Sequence, residues 1–252
     1  MNGGEALVKT LLCYGIDASF CVPGESYLTI LEALRLSSQE IRLVLNRHES
    51  GATLAAEAYA KATGKPGIAF VTRGPGATNA SIGLHTAKQD STPLVLFIGH
   101  VPTHEMGREA FQEIDYCTAF SPLTKKVIEV LKPDEVALAT SEALHHASSG
   151  RSGPVAVVLP EDVTESSVKS LQIPNARKRE PLLPSKVDIV KAIELIESAK
   201  RPVIIGGEQI NLENAHNALA QFATKSGAGV VSAFRRQDII PHEHPANLGH
   251  FG

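Results

Sequence analysis

The chain has 252 residues, 43% hydrophobic and 20% charged, with a formal net charge of −3. That composition fits a globular protein with a sizeable core in one large or two modest domains. It excludes the basic footprint of a nucleic-acid binder, and no apolar run approaches the roughly 20 residues needed to span a bilayer.

The opening stretch MNGGEALVKTLL lacks a basic segment leading into an apolar one, so it predicts a first helix rather than a secretory signal, and a cytoplasmic location. Cys13, Cys21 and Cys117 form no CxxC pair and are odd in number, which reads as three reduced thiols.

In chain order, Glu5 to Tyr14 carries apolar residues at helical period and stops at Gly15. Ala18 to Val22 is a buried strand broken by Pro23-Gly24, and Tyr27 to Leu36 returns to helix. Ile41 to Leu45 is the next strand and delivers Arg47, His48 and Glu49 to its end. Gly51 to Thr63 is an alanine-rich helix, whose short side chains allow close approach to a sheet or a partner helix; Gly64 and Pro66 end it.

Ile68 to Thr72 is a strand, Gly74-Pro75-Gly76 a turn, and Ala77 to Lys88 a helix. Leu94 to Ile98 is the most apolar strand, expected at the centre of the sheet. A loop runs from Gly99 to about Leu123; long loops in compact α/β domains are often functional. Strands at Val127 to Val130 and Pro154 to Leu159 flank a helix from Pro133 to Ser148. The expected architecture is α/β, a three-layer parallel sheet with helices on both faces over residues 1–165.

Residues 166–185, rich in Ser, Lys, Arg and Pro, read as a linker. Residues 186–252 then open a second, incomplete α/β unit: helix Val187 to Ser198, strand Val203 to Ile205, helix Leu212 to Ser226 and strand Gly229 to Val231, with no closing element in the final HEHPANLGHFG. His242, His244 and His250 have no scaffold that makes them a metal site, and none is expected.

In a parallel sheet the carboxyl ends of the strands open onto the ligand crevice, so Glu49 and the Gly74-Pro75-Gly76 turn fall on one edge. By position alone Glu49 also reads as a loop carboxylate or a helix N-cap, and His48 as either a brace for Glu49 or a strand-end histidine. GPGATN is not the GxGxxG of a dinucleotide fold, and there is no P-loop.

Six ordered motifs are together more specific. FCVPGE (20–25), RHESGATLAAEAYAKATGKPG (47–67), VTRGPGATNA (71–80), STPLVLFIGHVP (91–102), EAFQEID (109–115) and SGRSGPVAVVLPEDV (149–163) resemble the N-terminal, pyrimidine-binding domain of thiamine diphosphate enzymes of the acetolactate synthase-like family. The resemblance covers residues 3 to 165. It implies that Glu49 hydrogen-bonds the cofactor's pyrimidine N1′ and promotes formation of the ylid. The ylid then decarboxylates a 2-keto acid, and the enamine joins an acceptor. An apolar surround, such as the alanine-rich helix, would suit a shared proton there.

Pro75 and Gly76 resemble the turn against the pyrimidine ring, with Asn79 bracing it, although a plain tight turn reads nearly as well. Phe111 and Gln112 resemble the pair lining the substrate channel, and Arg151 resembles an arginine that contacts FAD in flavin-containing members. The family's GDG…N motif, which binds Mg²⁺ and the diphosphate, is absent from these 252 residues. The resemblance therefore predicts the pyrimidine half of a site, in a self-associating fragment or in one subunit of a split enzyme working with a separate diphosphate-binding subunit. The alternative is a non-catalytic dimerising or regulatory module. Gly24-Glu25 stands where acetolactate synthases commonly have paired glycines, and Glu208 where a third glycine commonly follows Gly206-Gly207. The product and the flavin therefore stay open.

Overall fold

A computed structural model describes residues 1–175 and 183–251. The chain divides into a larger unit, Met1–Arg179, and a smaller one, Glu180–Gly252. Residues 176–182 of the expected linker lie outside the described residues.

The larger unit contains, in order, α1 (Gly3–Cys13), β1 (Ala18–Cys21), α2 (Leu28–Leu36), β2 (Arg42–Leu45), α3 (Glu49–Thr63), β3 (Gly67–Thr72), α4 (Arg73–Asp90), β4 (Leu94–His100), α5 (Tyr116–Phe120), β5 (Lys126–Glu129), α6 (Val136–Ser148), β6 (Pro154–Pro160) and α7 (Glu161–Glu165). Its six strands pair in parallel in the order β2-β1-β3-β4-β6-β5. As expected, β4 is central, and all seven of its residues are buried.

Alternation along the strands divides the core. Phe70 of β3 and Val95 and Phe97 of β4 face Leu7, Leu11, Ile30, Leu34 and Leu144 of α1, α2 and α6. Ala69 and Val71, with Leu94, Leu96 and Ile98, face Ala52, Ala56, Ala77, Ala80 and Leu84 of α3 and α4. Small residues on that second face let the helices approach closely. A Cβ on Gly83 of α4 would lie 2.3 Å from Thr53 Oγ1, and the Thr53 hydroxyl donates to Ala80 O at 3.1 Å.

Local chemistry sets the ends. Asn2 and Glu5 form a reciprocal capping box at α1, with both bonds at 2.9 Å. Gly64, at φ 72°, closes α3 in the left-handed conformation. After α7 the chain runs back along α1: Gly3 N donates to Ser166 O at 3.2 Å, Asn2 bridges Ser167, and Val168 N donates to Met1 O at 3.0 Å.

The smaller unit contains α8 (Lys186–Ser198), β7 (Val203–Gly206), α9 (Glu208–Leu212), α10 (His216–Ser226), β8 (Gly229–Ala233) and β9 (Asn247–Phe251), with a parallel sheet β7-β8-β9. Two expectations are corrected here. The helix expected from Leu212 to Ser226 is two helices, parted where Asn214 takes a φ of 54°. The final segment does hold a closing element, because β9 pairs with β8. Among the described residues no helix is long and apolar enough to cross a membrane.

Candidate active site

The site begins with strand order. β1 leads to β2 on one side while its other neighbour, β3, leads to β4 on the other, so the connections diverge between β1 and β3 and a crevice opens at their carboxyl ends. The loops after β1 and β3 touch there. Ser26 Oγ lies 2.6 Å from Thr72 Oγ1, and a Cβ on Gly24 would come within 2.4 Å of Thr72 Cβ.

Glu49, after β2, is the first residue of α3 and is half-buried. The helix cap is His48, not Glu49: the His48 ring Nδ1 accepts from Ser50 N at 3.2 Å. The Glu49 carboxylate is thereby free for other contacts. Asn79 Nδ2 donates to Glu49 Oε2 at 3.0 Å. Glu49 Oε1 faces Gly76, where a Cβ would stand 3.4 Å away. Gly74-Pro75-Gly76 is not a turn ahead of a helix but the first turn of α4, which starts at Arg73. Proline is tolerated in that turn because the N–H it lacks has no intrahelical acceptor. The structure thus groups Glu49, Pro75, Gly76 and Asn79, and Asn79 braces the carboxylate itself.

Phe111 and Gln112 reach the same edge on the loop between β4 and α5. Gly74 N donates to Gln112 O at 2.9 Å, and a Cβ on Gly74 would lie 2.6 Å from that oxygen. The loop is tightly wound, with Glu109 and Gln112 at φ 54° and 62°. Glu113 staples it, accepting from Gly107 N at 2.6 Å and Ala110 N at 3.0 Å. Those N–H donors hold the Glu113 carboxyl below the usual range. Beneath the loop is a cavity of about 390 Å³ lined by His100, Glu113 and neighbours. His100 is 2% exposed, and burial pushes its imidazole below the usual value.

Arg151 is not part of this group. Its Nε donates to Ser91 Oγ at 2.9 Å, and Ser91 caps the far end of α4. Gly76 and Ser91 lie fifteen positions apart along the helix, roughly 22 Å at about 1.5 Å per residue. The chain has three cysteines. All three are free, and burial pushes the Cys21 thiol up to about 11.

Sequence reasoning missed Arg73, whose guanidinium bridges Glu25 and Glu161, and also His100 and Glu113. The available signal was a charged or titratable side chain directly after an apolar strand. Arg73 follows β3, His100 ends β4, and Glu161 follows β6.

The family model described as thiamine pyrophosphate enzyme, N-terminal TPP binding domain, matches residues 1–119, and the model for the central domain of the same enzymes matches residues 189–252. A probable acetolactate synthase large subunit from Methanocaldococcus jannaschii is 35% identical over 100% of this chain and 43% of its own length. The acetolactate synthase large subunit of Corynebacterium glutamicum is 36% identical over 99% of this chain and 40% of its own length. Acetolactate synthase 3, chloroplastic, of Brassica napus is 37% identical over 100% and 39%. The chain thus spans less than half the length of these curated relatives. With both domain models matched in order and the relatives aligned along its whole length, the chain belongs to the thiamine diphosphate-dependent enzymes of the acetolactate synthase-like family.

Proposed function

We propose that this chain supplies the pyrimidine-binding part of an acetolactate synthase-like enzyme that decarboxylates a 2-keto acid and joins the remaining acyl fragment to an acceptor (carboligation). The observation that carries the reading is the Glu49 carboxylate, fixed through Oε2 by Asn79 with Oε1 turned toward Gly76. A helix-terminal carboxylate with no further task has no need of a dedicated amide donor. The residues fit the cofactor. Gly76 leaves open the space beside Oε1 that a side chain would narrow, and among the described residues no protein donor takes Oε1. Glu49, Pro75, Gly76 and Asn79 would hold the aminopyrimidine end.

Thiamine diphosphate, when bound, supplies an electron sink for decarboxylation and carbon–carbon bond formation. The chain's own part is to hold and return one proton at Glu49 Oε1, while Asn79 keeps the carboxylate from turning. Phe111, 68% exposed, and Gln112 form the wall met by the substrate. An aromatic face beside an amide suits a short 2-keto acid. The diphosphate and its magnesium ion belong, in this reading, to another part of the enzyme. FAD at Arg151 has less support, because that guanidinium already donates to Ser91 and Lys88 O. Self-association belongs to the same reading and would use the outward faces of α3 and α4, where Leu54 and Ile82 are exposed; sedimentation as a monomer at micromolar concentration would remove it.

The test is Glu49→Gln in the full-length enzyme, read by turnover of 2-keto acids and by calorimetric binding of thiamine diphosphate. Loss of roughly 10²-fold or more in turnover with cofactor binding retained is expected for a positioned acid–base group. Unchanged turnover would sink the assignment.

A further inference from the structure

At the same sheet edge stands a buried cation that this reading leaves without a role. Arg73 has a φ of 39°, in the left-handed region that non-glycine residues avoid, and its side chain is 9% exposed. Such strain persists where surrounding contacts enforce it, and it concentrates at functional sites. Two carboxylates hold the guanidinium: Glu25 on Nη1 at 2.6 Å and Glu161 on Nη2 at 2.5 Å. Nε is buried and has no partner among the described residues. The Phe111 ring covers the group, with its centroid 5.5 Å from Cζ.

The two carboxylates are unequal. The Glu161 side chain is 24% exposed, at the start of α7, whereas that of Glu25 is 68% exposed at the crevice mouth. An ion pair with one partner this exposed is weakly held and screened by solvent. Neither carboxylate forms the bidentate fork in which guanidinium and carboxylate match best, Glu25 meeting Nη1 alone and Glu161 Nη2 alone, so an acid that offers the fork has something to gain at the exposed side. Three carboxylates cannot share one guanidinium comfortably, so an incoming anion gains most by replacing the looser one.

We propose that the Arg73 guanidinium is the recognition group for the substrate carboxylate, and that Glu25 occupies it as an internal stand-in which the substrate displaces. This rests on the reading of the chain as part of a 2-keto acid enzyme and names the group that reads the acid. The Phe111 ring over the guanidinium would border the bound acid on one side. The Gly74–Gly76 backbone links Arg73 directly to the turn facing Glu49, so carboxylate recognition and proton transfer share one rigid segment.

A purely structural ion pair and a displaceable one predict opposite effects of neutralising Glu25. The experiment titrates pyruvate by calorimetry into the full-length protein, loaded with thiamine diphosphate and magnesium, in a Glu49→Gln background that suppresses turnover. Adding Glu25→Gln is expected to tighten pyruvate by about 3- to 10-fold. Adding Arg73→Met is expected to weaken it by about 10-fold or more, the scale of a charge-assisted hydrogen bond. Arg73→Lys, which keeps the charge without the fork, falls between. Acetone, which lacks the carboxylate, should respond to none of these changes. Weaker pyruvate binding in Glu25→Gln, or unaltered binding in Arg73→Lys, would overturn the proposal even if Arg73→Met fails to fold. Turnover by the Glu49 enzyme is scored separately: no turnover of 2-keto acids refutes the proposed function, whereas the pyruvate titration judges Arg73.

Discussion

Replacing Gly83 with alanine should splay the two helices that carry the site. The added Cβ would stand 2.3 Å from Thr53 Oγ1, 2.4 Å from Thr53 Cβ and 2.9 Å from the Thr53 carbonyl carbon. Comfortable contacts between carbon atoms lie near 3.5–4.0 Å, so α3 and α4 must separate by roughly 1 Å, which forfeits a quarter to half of their dispersion contact. Overpacking of this kind costs about 1–3 kcal/mol, and here the obstruction includes backbone, which favours the upper end. The helix-propensity gain of alanine over glycine offsets about 1 kcal/mol. A net loss of about 1–2 kcal/mol is expected, which lowers the melting transition of a unit this size by roughly 2–8 °C. Scanning calorimetry reads the shift. Thr53→Gly should partly rescue Gly83→Ala, giving a favourable coupling in a double-mutant cycle, because it removes the two nearest side-chain atoms. Activity should fall as well, since Glu49 begins α3 while Gly76 and Asn79 lie on α4. A Gly83→Ala protein more stable than the parent by about 1 kcal/mol, the bare propensity gain, would refute the close packing.

At the other end of the same helices, Lys61 pairs with Glu57 at 2.6 Å and with Asp90, and Thr92 Oγ1 donates to Glu57 Oε1 at 2.9 Å. Lys61→Met removes the cation from two carboxylates that are only 6% and 9% exposed. Breaking a fully buried pair costs about 3–5 kcal/mol; with the lysine a quarter exposed, about 2–3 kcal/mol is expected, measured by the urea midpoint, and adding Glu57→Gln should recover part of it. His100 predicts a pH effect. Burial lowers its folded-state pKa below the unfolded value near 6.5, so the unfolded chain binds the extra proton first. Its stabilising contribution is therefore full above pH 6.5 and is lost as pH falls through the folded pKa. His100→Gln should flatten the stability–pH slope just below pH 6.5, and an unchanged slope would place its origin elsewhere.

Much of this was legible in the chain itself. The apolar runs of β3, β4 and β6 are buried on both faces, and only a parallel sheet covered on both sides makes such runs necessary. Glu49 and the glycine-rich segment fall on one edge because each follows a strand. The Asn79–Glu49 bond was not legible, because it joins two helices whose separation is set by Thr53 and Gly83 well away from either residue. The first turn of α4 was misread because proline and two glycines signal a turn locally, while the packing of Gly74 against Gln112 O draws the segment into helix. Arg73 gave a signal of the wrong kind: a charge in sequence reads as surface, and nothing in VTRGPG shows that Glu25 and Glu161 converge on it from two other strands.

The clasp between the start of α1 and the segment after α7, at the carboxyl edge of the sheet, brings the two ends of the larger unit's element order together. Asn2 and Ser167 are bridged, and Gly3 packs so tightly that a Cβ there would lie 2.5 Å from Val163 O. The order of elements is then a matter of where the ring happens to be cut. A short peptide joining the two clasped segments, with a new opening in the Gly64–Pro66 bend at the amino edge of the sheet, would leave every side chain around Glu49 on its original element. Such a circular permutant should preserve the chemistry of the crevice, because the fold holds its site through the sheet's neighbours in space and not through the sequence in which they are synthesised.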